Sequence, residues 1–200
     1  MIILKPSVVL VQATPYAEDL IEQAGRTAYQ SERKDGSAPA FVKMLITRGH
    51  ESVLEHASAT LRFICDRGVT HEMVRHRIAS YTQESTRYCC YKEEIQVIEP
   101  PFKSDSERAV WRTAMMDAER AYHLLLKTQT PQIARSVLPT CLKTDIITTY
   151  NFREWRHFLR LRCAKTAHPQ MREVAFMALE IMKKLSPTCF GDLNDNPDTV

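Results

Sequence analysis

The chain has 200 residues and a formal net charge of +3 at pH 7. Its length suits one domain of ordinary size, so residues 1–200 are predicted to form a single domain. The mild charge argues against a protein that wraps nucleic acid, and it is compatible with small anionic ligands. Nothing resembles a signal peptide or a membrane span, and we therefore expect a cytoplasmic protein without a membrane partner.

The cysteines and glycines narrow the possible chemistry. No C-x-x-C pair occurs among the six cysteines, which predicts reduced and mostly buried thiols. The five glycines form neither a G-x-G-x-x-G motif nor a P-loop. A nucleotide bound by this chain would therefore be held by side chains and not by a glycine-rich backbone loop.

The first residues predict a strand and two helices. Residues 1–11 are rich in β-formers, and Thr14 followed by Pro15 is typical of a helix start, with Thr14 as the N-cap. A second helix is predicted to end at Gly49. Apolar and polar side chains then alternate over residues 59–65, which indicates a half-buried strand.

A basic segment follows that strand. Asp66 is placed to cap a helix that extends to Arg75 or Ile78 and carries the triplet Arg75-His76-Arg77. Adjacent cationic side chains repel one another, so a folded domain keeps them together where an anion lies opposite. Two guanidiniums in such a cluster can bind phosphate or carboxylate oxygens in a bidentate way.

Beyond this segment we expect an extended chain. Ser85 and Arg87 are two residues apart, so on a strand their side chains would share one face and form a second site for an anion. Residues 88–98 are also predicted to be extended, because they are rich in β-formers.

The second half is predicted to be mainly helical. Residues 104–107 form a capping-box pattern that opens the longest helix, and Pro131 starts a short one. The β-branched residues 146–150 indicate a strand, and Asn151 is placed to cap the helix that follows.

The last helix is predicted over residues 169–185, and the acidic tail from Asp192 is expected to be frayed. On the preceding helix, Arg156 and Arg160 are interpreted as a solvated basic face. Together these elements predict an α+β fold, a single domain in which a small mixed or antiparallel sheet packs against several long helices.

Histidines and glutamates cluster over residues 50–56, which raises the possibility of a metal site. The spacing fits no common zinc pattern, and H-E-x-x-H is also absent at residues 71–76. We predict no metal here and interpret residues 50–56 as a polar loop after a helix.

Four segments match one family. Arg75-His76-Arg77, seven residues and then Ser85 resembles the R-H-R-x7-S signature of the flavin-dependent (alternative) thymidylate synthases. In the wider form of that signature Ser80, Arg87 and Tyr88 also match, whereas Thr82 stands where asparagine is usual. Further matches are the family's G-H-E-[ST]-x-x-E-H at residues 49–56, A-R-x-x-L-P at 134–139, and N-x-R at 151–153.

The resemblance implies an enzyme that methylates dUMP reductively to dTMP. Methylenetetrahydrofolate would supply the carbon, and FAD reduced by NADPH would supply the hydride, without an enzymatic nucleophile. It also implies a homotetramer whose active sites are shared between subunits.

The resemblance further implies roles for individual residues. Arg162 would be catalytic, because it would lie against the uracil edge and stabilise negative charge there. The residues implied in cofactor binding are His50, Ser52, Arg75, His76, Arg77, Gln83, Asn151, Arg153 and His157. Those implied in substrate binding are Glu72, Arg75, Gln83, Ser85, Arg87, Arg135 and Arg162.

Two other functions fit parts of the sequence. A nucleic-acid-binding domain could use the R-H-R helix to contact phosphates, although the low net charge and the lack of an aromatic-basic RNA motif argue against it. A metal hydrolase could use His50, His56, His71 and His76, and it would then contain stoichiometric metal.

Overall fold

The computed structural model describes residues 1–193. Its strands are β1 (Ile2–Leu4), β2 (Ser7–Ala13), β3 (Ser58–Asp66), β4 (Ala79–Gln83), β5 (Gln96–Ile98) and β6 (Lys143–Asn151). Its helices are α1 (Ala17–Tyr29), α2 (Ala38–Thr47), α3 (Arg67–Met73), α4 (Asp105–Leu126), α5 (Pro131–Ala134), α6 (Phe152–Arg162), α7 (Pro169–Leu185) and α8 (Pro187–Phe190), with 3₁₀ helices at Glu51–His56 and Arg135–Val137. None of these helices is long and apolar enough to cross a membrane.

The central sheet has four antiparallel strands in the order β2-β3-β6-β4, and β1 pairs in parallel with β5 beside it. The longest ladder joins β3 to β6, from Ser58 opposite Asn151 to Asp66 opposite Lys143. The predicted α+β fold, a small sheet packed against long helices, is confirmed.

One face of the sheet forms the main core with α6 and α7. Alternate residues of β3 are buried, as the sequence predicted, and they include Leu61 and Phe63. From α6, Trp155 packs against the Tyr150 ring at 4.3 Å between centroids, and its Nε1 donates to the carbonyl of Ala59 at 3.0 Å. A buried Trp keeps its N–H satisfied in this way, which fixes α6 on the sheet.

Capping residues start the helices that leave the sheet. The Asp66 carboxylate accepts from the Val69 amide at the start of α3, and Asn151 Oδ1 accepts from the Glu154 amide at the start of α6. The predicted caps of both helices and the capping box of α4 are therefore confirmed. Because β3 and β6 are antiparallel, α3 and α6 begin at opposite ends of the sheet and run towards each other.

Gly49 ends α2 as predicted. Its φ of 71° lies in the left-handed region that favours glycine. The His50 amide donates to the Leu45 carbonyl and the Gly49 amide to the Ile46 carbonyl, which is a Schellman motif. This turn leads directly into the 3₁₀ helix at Glu51–His56, where the sequence had predicted a loop.

Two predictions about helix ends in the N-terminal half were wrong. Thr14 does not cap α1, because the N-cap is Tyr16, and Thr14 Oγ1 instead accepts from the Ser58 amide at 3.0 Å. The helix α3 ends at Met73, short of Arg75.

The strand predicted to carry Ser85 and Arg87 is also wrong. β4 ends at Gln83, and residues 86–88 form a turn in which the Arg87 amide donates to Ser85 Oγ at 3.3 Å. Serine competes for backbone donors in this way and favours turns over strands. Of residues 88–98, only Gln96–Ile98 is a strand.

The interpretation of Arg156 as a solvated residue was wrong, whereas Arg160 is exposed. Arg156 is 0% exposed, and its guanidinium donates to both oxygens of Asp192 at 2.6 Å and to the Cys189 carbonyl. These bonds hold the segment after α8 against α6. The rest of the tail predicted to fray, residues 194–200, lies outside the described residues.

Replacing Arg156 with alanine is expected to lower the free energy of unfolding by about 2–4 kcal/mol, because it leaves a cavity and removes the buried partner of Asp192 and of the Cys189 carbonyl. Arg160→Ala, one turn further along α6 and exposed, should cost less than about 1 kcal/mol. Urea unfolding of both variants measures the difference. Equal losses would show that Arg156 does not hold the C-terminal segment.

Candidate active site

Arg162, the last residue of α6, contacts α3 and the segment that follows it. Its Nη1 donates to Glu72 Oε2 at 2.8 Å, and its Nη2 donates to the Glu72 carbonyl at 3.2 Å. Its Nε donates to His76 Nε2 at 3.1 Å. Three predicted site residues from distant parts of the sequence are thus joined by hydrogen bonds.

His76 lies inside the fold, with only 6% of its surface exposed. Its Nδ1 is 2.9 Å from Glu154 Oε1, and its ring packs edge-on against Phe158 at 5.1 Å and His157 at 5.5 Å. Burial lowers the pKa of His76, and the hydrogen bond to Glu154 raises it in part; the net shift is downward. The ring is therefore neutral at neutral pH.

Two tyrosines support the end of α3. The Tyr81 hydroxyl on β4 lies 2.6 Å from the carbonyl oxygens of both Met73 and His76, and 2.9 Å from the Tyr150 hydroxyl. Since a phenol has one hydrogen, Tyr81 donates to a carbonyl while its oxygen can accept from Tyr150. Burial raises the pKa of both phenols, so they remain donors over the physiological range.

A cavity of about 450 Å³ lies beside this network. Its lining residues are Glu51, Glu55, Ile78, Asn151, Arg153, Glu154, His157 and Arg160. It brings the predicted cofactor residues Asn151, Arg153 and His157 next to the 3₁₀ helix that contains Ser52. Arg153 is tied to Glu55 by a hydrogen bond of 2.6 Å.

The remaining predicted cofactor residues are mainly exposed. His50 and Ser52 lie at the start of the 3₁₀ helix, and Arg75 and Arg77 flank the buried His76; all four side chains are exposed. The triplet therefore has one inward-facing ring between two solvent-facing guanidiniums, which can contact an external anion.

A second group of predicted residues follows β4. Gln83 Nε2 donates to Thr70 Oγ1 at 2.9 Å and to Thr144 Oγ1 at 3.1 Å. After the turn at Ser85, Arg87 is exposed, with its guanidinium carbon 5.5 Å from the centroid of the Tyr88 ring.

Arg135, the first residue of the 3₁₀ helix after α5, joins this second group. Its Nη1 donates to the buried Thr86 hydroxyl at 3.3 Å, and the rest of the side chain is exposed. The group thus offers two exposed guanidiniums near the Ser85 hydroxyl, which is the composition of a phosphate site.

The helix α3 lies between this second group and the first group, which consists of Arg162, Glu72 and His76. Thr70 binds Gln83 and Glu72 binds Arg162. Residues two apart on a helix are about 200° apart around its axis, so the two groups occupy different sides of α3.

The geometry supports a metal site only in part. His76, Glu154 and His157 have potential ligand atoms within 4.8 Å of one another. However, both ring nitrogens of His76 are already engaged by Glu154 and Arg162. His50, His56 and His71 are exposed and do not belong to this group.

A larger cavity, of about 670 Å³, lies between α2, α6 and α8. Its lining includes Lys43, Arg156, Arg160 and Asp192. It contains none of the predicted site residues, so size alone does not locate the site.

Comparison with known proteins gives the family. The family model described as thymidylate synthase complementing protein (Thy1) matches residues 9–188. A flavin-dependent thymidylate synthase from Corynebacterium efficiens is 36% identical over 198 residues, covering 88% of this chain and 79% of the relative. The chain belongs to the flavin-dependent thymidylate synthase family. Another member, from Geobacter sulfurreducens, is 37% identical and covers 92% of this chain and 85% of its own.

Two solved structures agree with the fold. Thymidylate synthase X (ThyX) from Helicobacter pylori, with FAD and dUMP, superposes with a TM-score of 0.78 at 26% identity, covering 94% of this chain and 98% of that one. The UMP/dUMP methylase PolB from Streptomyces cacaoi, bound with 5-Br dUMP, superposes at 0.79 and 24% identity over 96% of each chain, which supports the fold alone. The predicted membership of this enzyme family is confirmed.

The structure adds residues to the site that the family motifs do not mark. Glu154, Tyr81 and Tyr150 contact predicted site residues without belonging to the predicted set. One signal for Glu154 was present in the sequence: it lies eight residues before Arg162, and that spacing places both on one face of a helix.

Proposed function

We propose that the protein methylates dUMP reductively to dTMP, with methylenetetrahydrofolate as carbon donor and NADPH as reductant. The observation that supports this proposal is the contact of Arg162 with Glu72 and His76. It joins the predicted catalytic residue to the R-H-R segment by hydrogen bonds. Relatives named flavin-dependent thymidylate synthase support the reaction.

FAD is the proposed cofactor, and when reduced it would supply the hydride. Its diphosphate needs several donors, and charge-assisted hydrogen bonds from arginine are the strong ones. Arg75 and Arg77 are exposed donors, Asn151, Arg153 and His157 line the 450 Å³ cavity, and His50 and Ser52 are exposed on the adjoining turn. Gln83 completes the proposed cofactor set. His76 was predicted to bind the cofactor as well, but it is buried and both of its ring nitrogens are engaged within the chain, so we do not assign it a direct contact with FAD.

For dUMP we assign the two groups to different parts of the ligand. Ser85, Arg87 and Arg135, with Gln83 beside them, suit the phosphate and sugar, because they combine hydroxyl, amide and guanidinium donors. Arg162, with Glu72, suits the pyrimidine edge. A guanidinium there stabilises negative charge that develops on the ring, which polarises the C5–C6 bond. Arg75 can contribute to either ligand.

The proposed reaction uses no enzymatic nucleophile. Ser85 Oγ accepts from the Arg87 amide, and no histidine hydrogen-bonds to it in the described part of the chain. A serine needs an adjacent base to become a nucleophile. Its environment instead suits a ligand hydroxyl or phosphate oxygen.

We also propose that the active site is shared between subunits of a homotetramer. Two observations support this: the two groups occupy different sides of α3, and large apolar side chains beside them are exposed. Ile78 is 68% exposed and Tyr88 is 76% exposed. In a homotetramer, a neighbouring subunit would cover these apolar side chains.

A cytoplasmic location remains part of the proposal. It is supported by the cysteines, all within residues 1–193, since none of them forms a disulfide bond. Three of them are buried, and Cys89 and Cys90 are exposed.

Arg162→Ala is expected to lower kcat for dTMP formation by about 10²–10³, the usual loss when a group that stabilises transition-state charge is removed. Retention of FAD should persist, because Arg162 is assigned to the substrate. Turnover with dUMP, methylenetetrahydrofolate and NADPH, together with flavin absorbance, measures both. Arg120→Ala on the exposed face of α4 is the matched control. Full activity of Arg162→Ala would exclude the role given to Arg162.

Ser85→Ala should keep measurable turnover and weaken dUMP binding by about tenfold, the loss expected for one charge-assisted hydrogen bond. Steady-state kinetics over a range of dUMP concentrations separate KM from kcat. Complete loss of turnover with unchanged dUMP affinity would instead indicate that Ser85 is a nucleophile.

A further inference from the structure

We infer that Glu154 and His76 are positioning residues: Glu154 holds the His76 ring so that Nε2 receives the Nε–H of Arg162 and fixes its guanidinium. This inference rests on the proposed role of Arg162 as the group that faces the pyrimidine. Neither the motif match nor the comparisons assign such a function to Glu154.

The three residues form a continuous bridge. Glu154 and Arg162 lie on the same face of α6, eight residues or about 12 Å apart, which is too far for direct contact. The His76 ring, from the segment after α3, fills that gap with contacts of 2.9 Å to Glu154 Oε1 and 3.1 Å from Arg162 Nε. The ring is enclosed by Phe158 and Tyr150, which limit its rotation.

Donor and acceptor chemistry fixes the protonation of this bridge. A guanidinium only donates, so His76 Nε2 must accept and carry no hydrogen. The hydrogen of the neutral ring is then on Nδ1, and it is donated to the Glu154 carboxylate, which only accepts. Loss of that carboxylate would remove the constraint on the tautomer and on the ring.

The bridge leaves two N–H donors of Arg162 available to a ligand and holds the guanidinium in place. Nε is used by His76, and one N–H on each of Nη1 and Nη2 is used by Glu72. One further N–H remains on each terminal nitrogen, and this pair of donors lies in the guanidinium plane, where it is open to a ligand. A ring edge is bound well only if the guanidinium plane is held, and His76 and Glu72 hold it from different nitrogens.

The same bridge makes Arg162 sensitive to pH. The groups that face the His76 ring are Glu154, Arg162 and His157 from α6 and Tyr150 from β6, and Tyr81 from β4 contacts its carbonyl. Burial and the adjacent guanidinium lower the pKa of His76. Below that pKa, Nε2 gains a hydrogen, Arg162 loses its acceptor, and two cations face each other. The kcat should therefore fall on the acid side as pH drops through it.

The first test is the tautomer of His76, observed by magic-angle-spinning NMR of the FAD-loaded protein labelled with ¹⁵N-histidine and assigned with His76→Gln. We expect a neutral ring with hydrogen on Nδ1 in the wild type, and a mixture of tautomers in Glu154→Ala. Hydrogen on Nε2 in the wild type would overturn the inference, whatever the role of Arg162.

The second test is kinetic. Glu154→Gln should lower kcat about tenfold with little change in the KM for dUMP, as expected when one charge-assisted bond in the site is weakened. It should also move the acid limb of kcat to lower pH, because the carboxylate that favours the imidazolium has gone. The exposed Glu180→Gln on α7 is the control. An unchanged kcat and an unchanged acid limb in Glu154→Gln would overturn the inference.

The third test separates positioning from packing. In His76→Gln the amide oxygen can replace Nε2 as acceptor, whereas in His76→Asn the shorter side chain reaches only the place of Nδ1. His76→Gln should keep more activity than His76→Asn and lose the acid limb. Equal activity of the two variants would contradict a role through Arg162. Full activity of Arg162→Ala would refute the proposed role of Arg162 at the pyrimidine. The NMR test reads the His76 tautomer without turnover, so its failure is distinguishable from that result.

Discussion

The antiparallel pairing of β3 with β6 is the constraint on which the site depends. Each strand ends in a residue that caps the next helix, Asp66 for α3 and Asn151 for α6. Because the strands run in opposite directions, the two helices begin at opposite ends of the sheet. The last turn of α3 then meets the end of α6 through Glu72 and Arg162, and the segment after α3 meets the first turn of α6 through His76 and Glu154.

The arginines fall into two classes that suit different tasks. Arg162 and Arg156 have their donors engaged by carboxylates within the chain, so their planes are fixed before a ligand arrives. Arg75, Arg87 and Arg135 are exposed and free to meet a charged ligand from solution. Fixed donors stabilise developing charge without reorganisation, whereas exposed donors suit the capture of phosphates from solution. The proposed division of dUMP between the two groups follows from this difference.

Much of the fold could be predicted because its signals are local. Alternation in residues 59–65 and the caps Asp66, Asn151 and Ser104 depend only on neighbouring residues, and each prediction was confirmed. Arg156 was misinterpreted because its burial depends on Asp192, thirty-six positions away, and a basic helix face looks solvated without that partner. The turn at Ser85 was missed because a serine hydroxyl that binds a backbone amide gives no periodic signal.

Only the residues of the candidate site that belong to family motifs could be predicted from the sequence. The R-H-R triplet and Arg162 could be found from the sequence, but their mutual contact is tertiary and required the two helices to be placed. Glu154 carries no motif, and its importance appears only when the ring of His76 is seen between it and Arg162. That contact also explains how one member of a basic triplet can be buried while its neighbours face solvent.

The central claim, that this chain binds a flavin and dUMP in one site, is tested most directly by the visible absorbance spectrum of the purified protein. FAD is added, free flavin is removed, and dUMP is then titrated in. We expect a retained flavin band that shifts and saturates as dUMP is added. A protein that retains no flavin and shows no response to dUMP would contradict it.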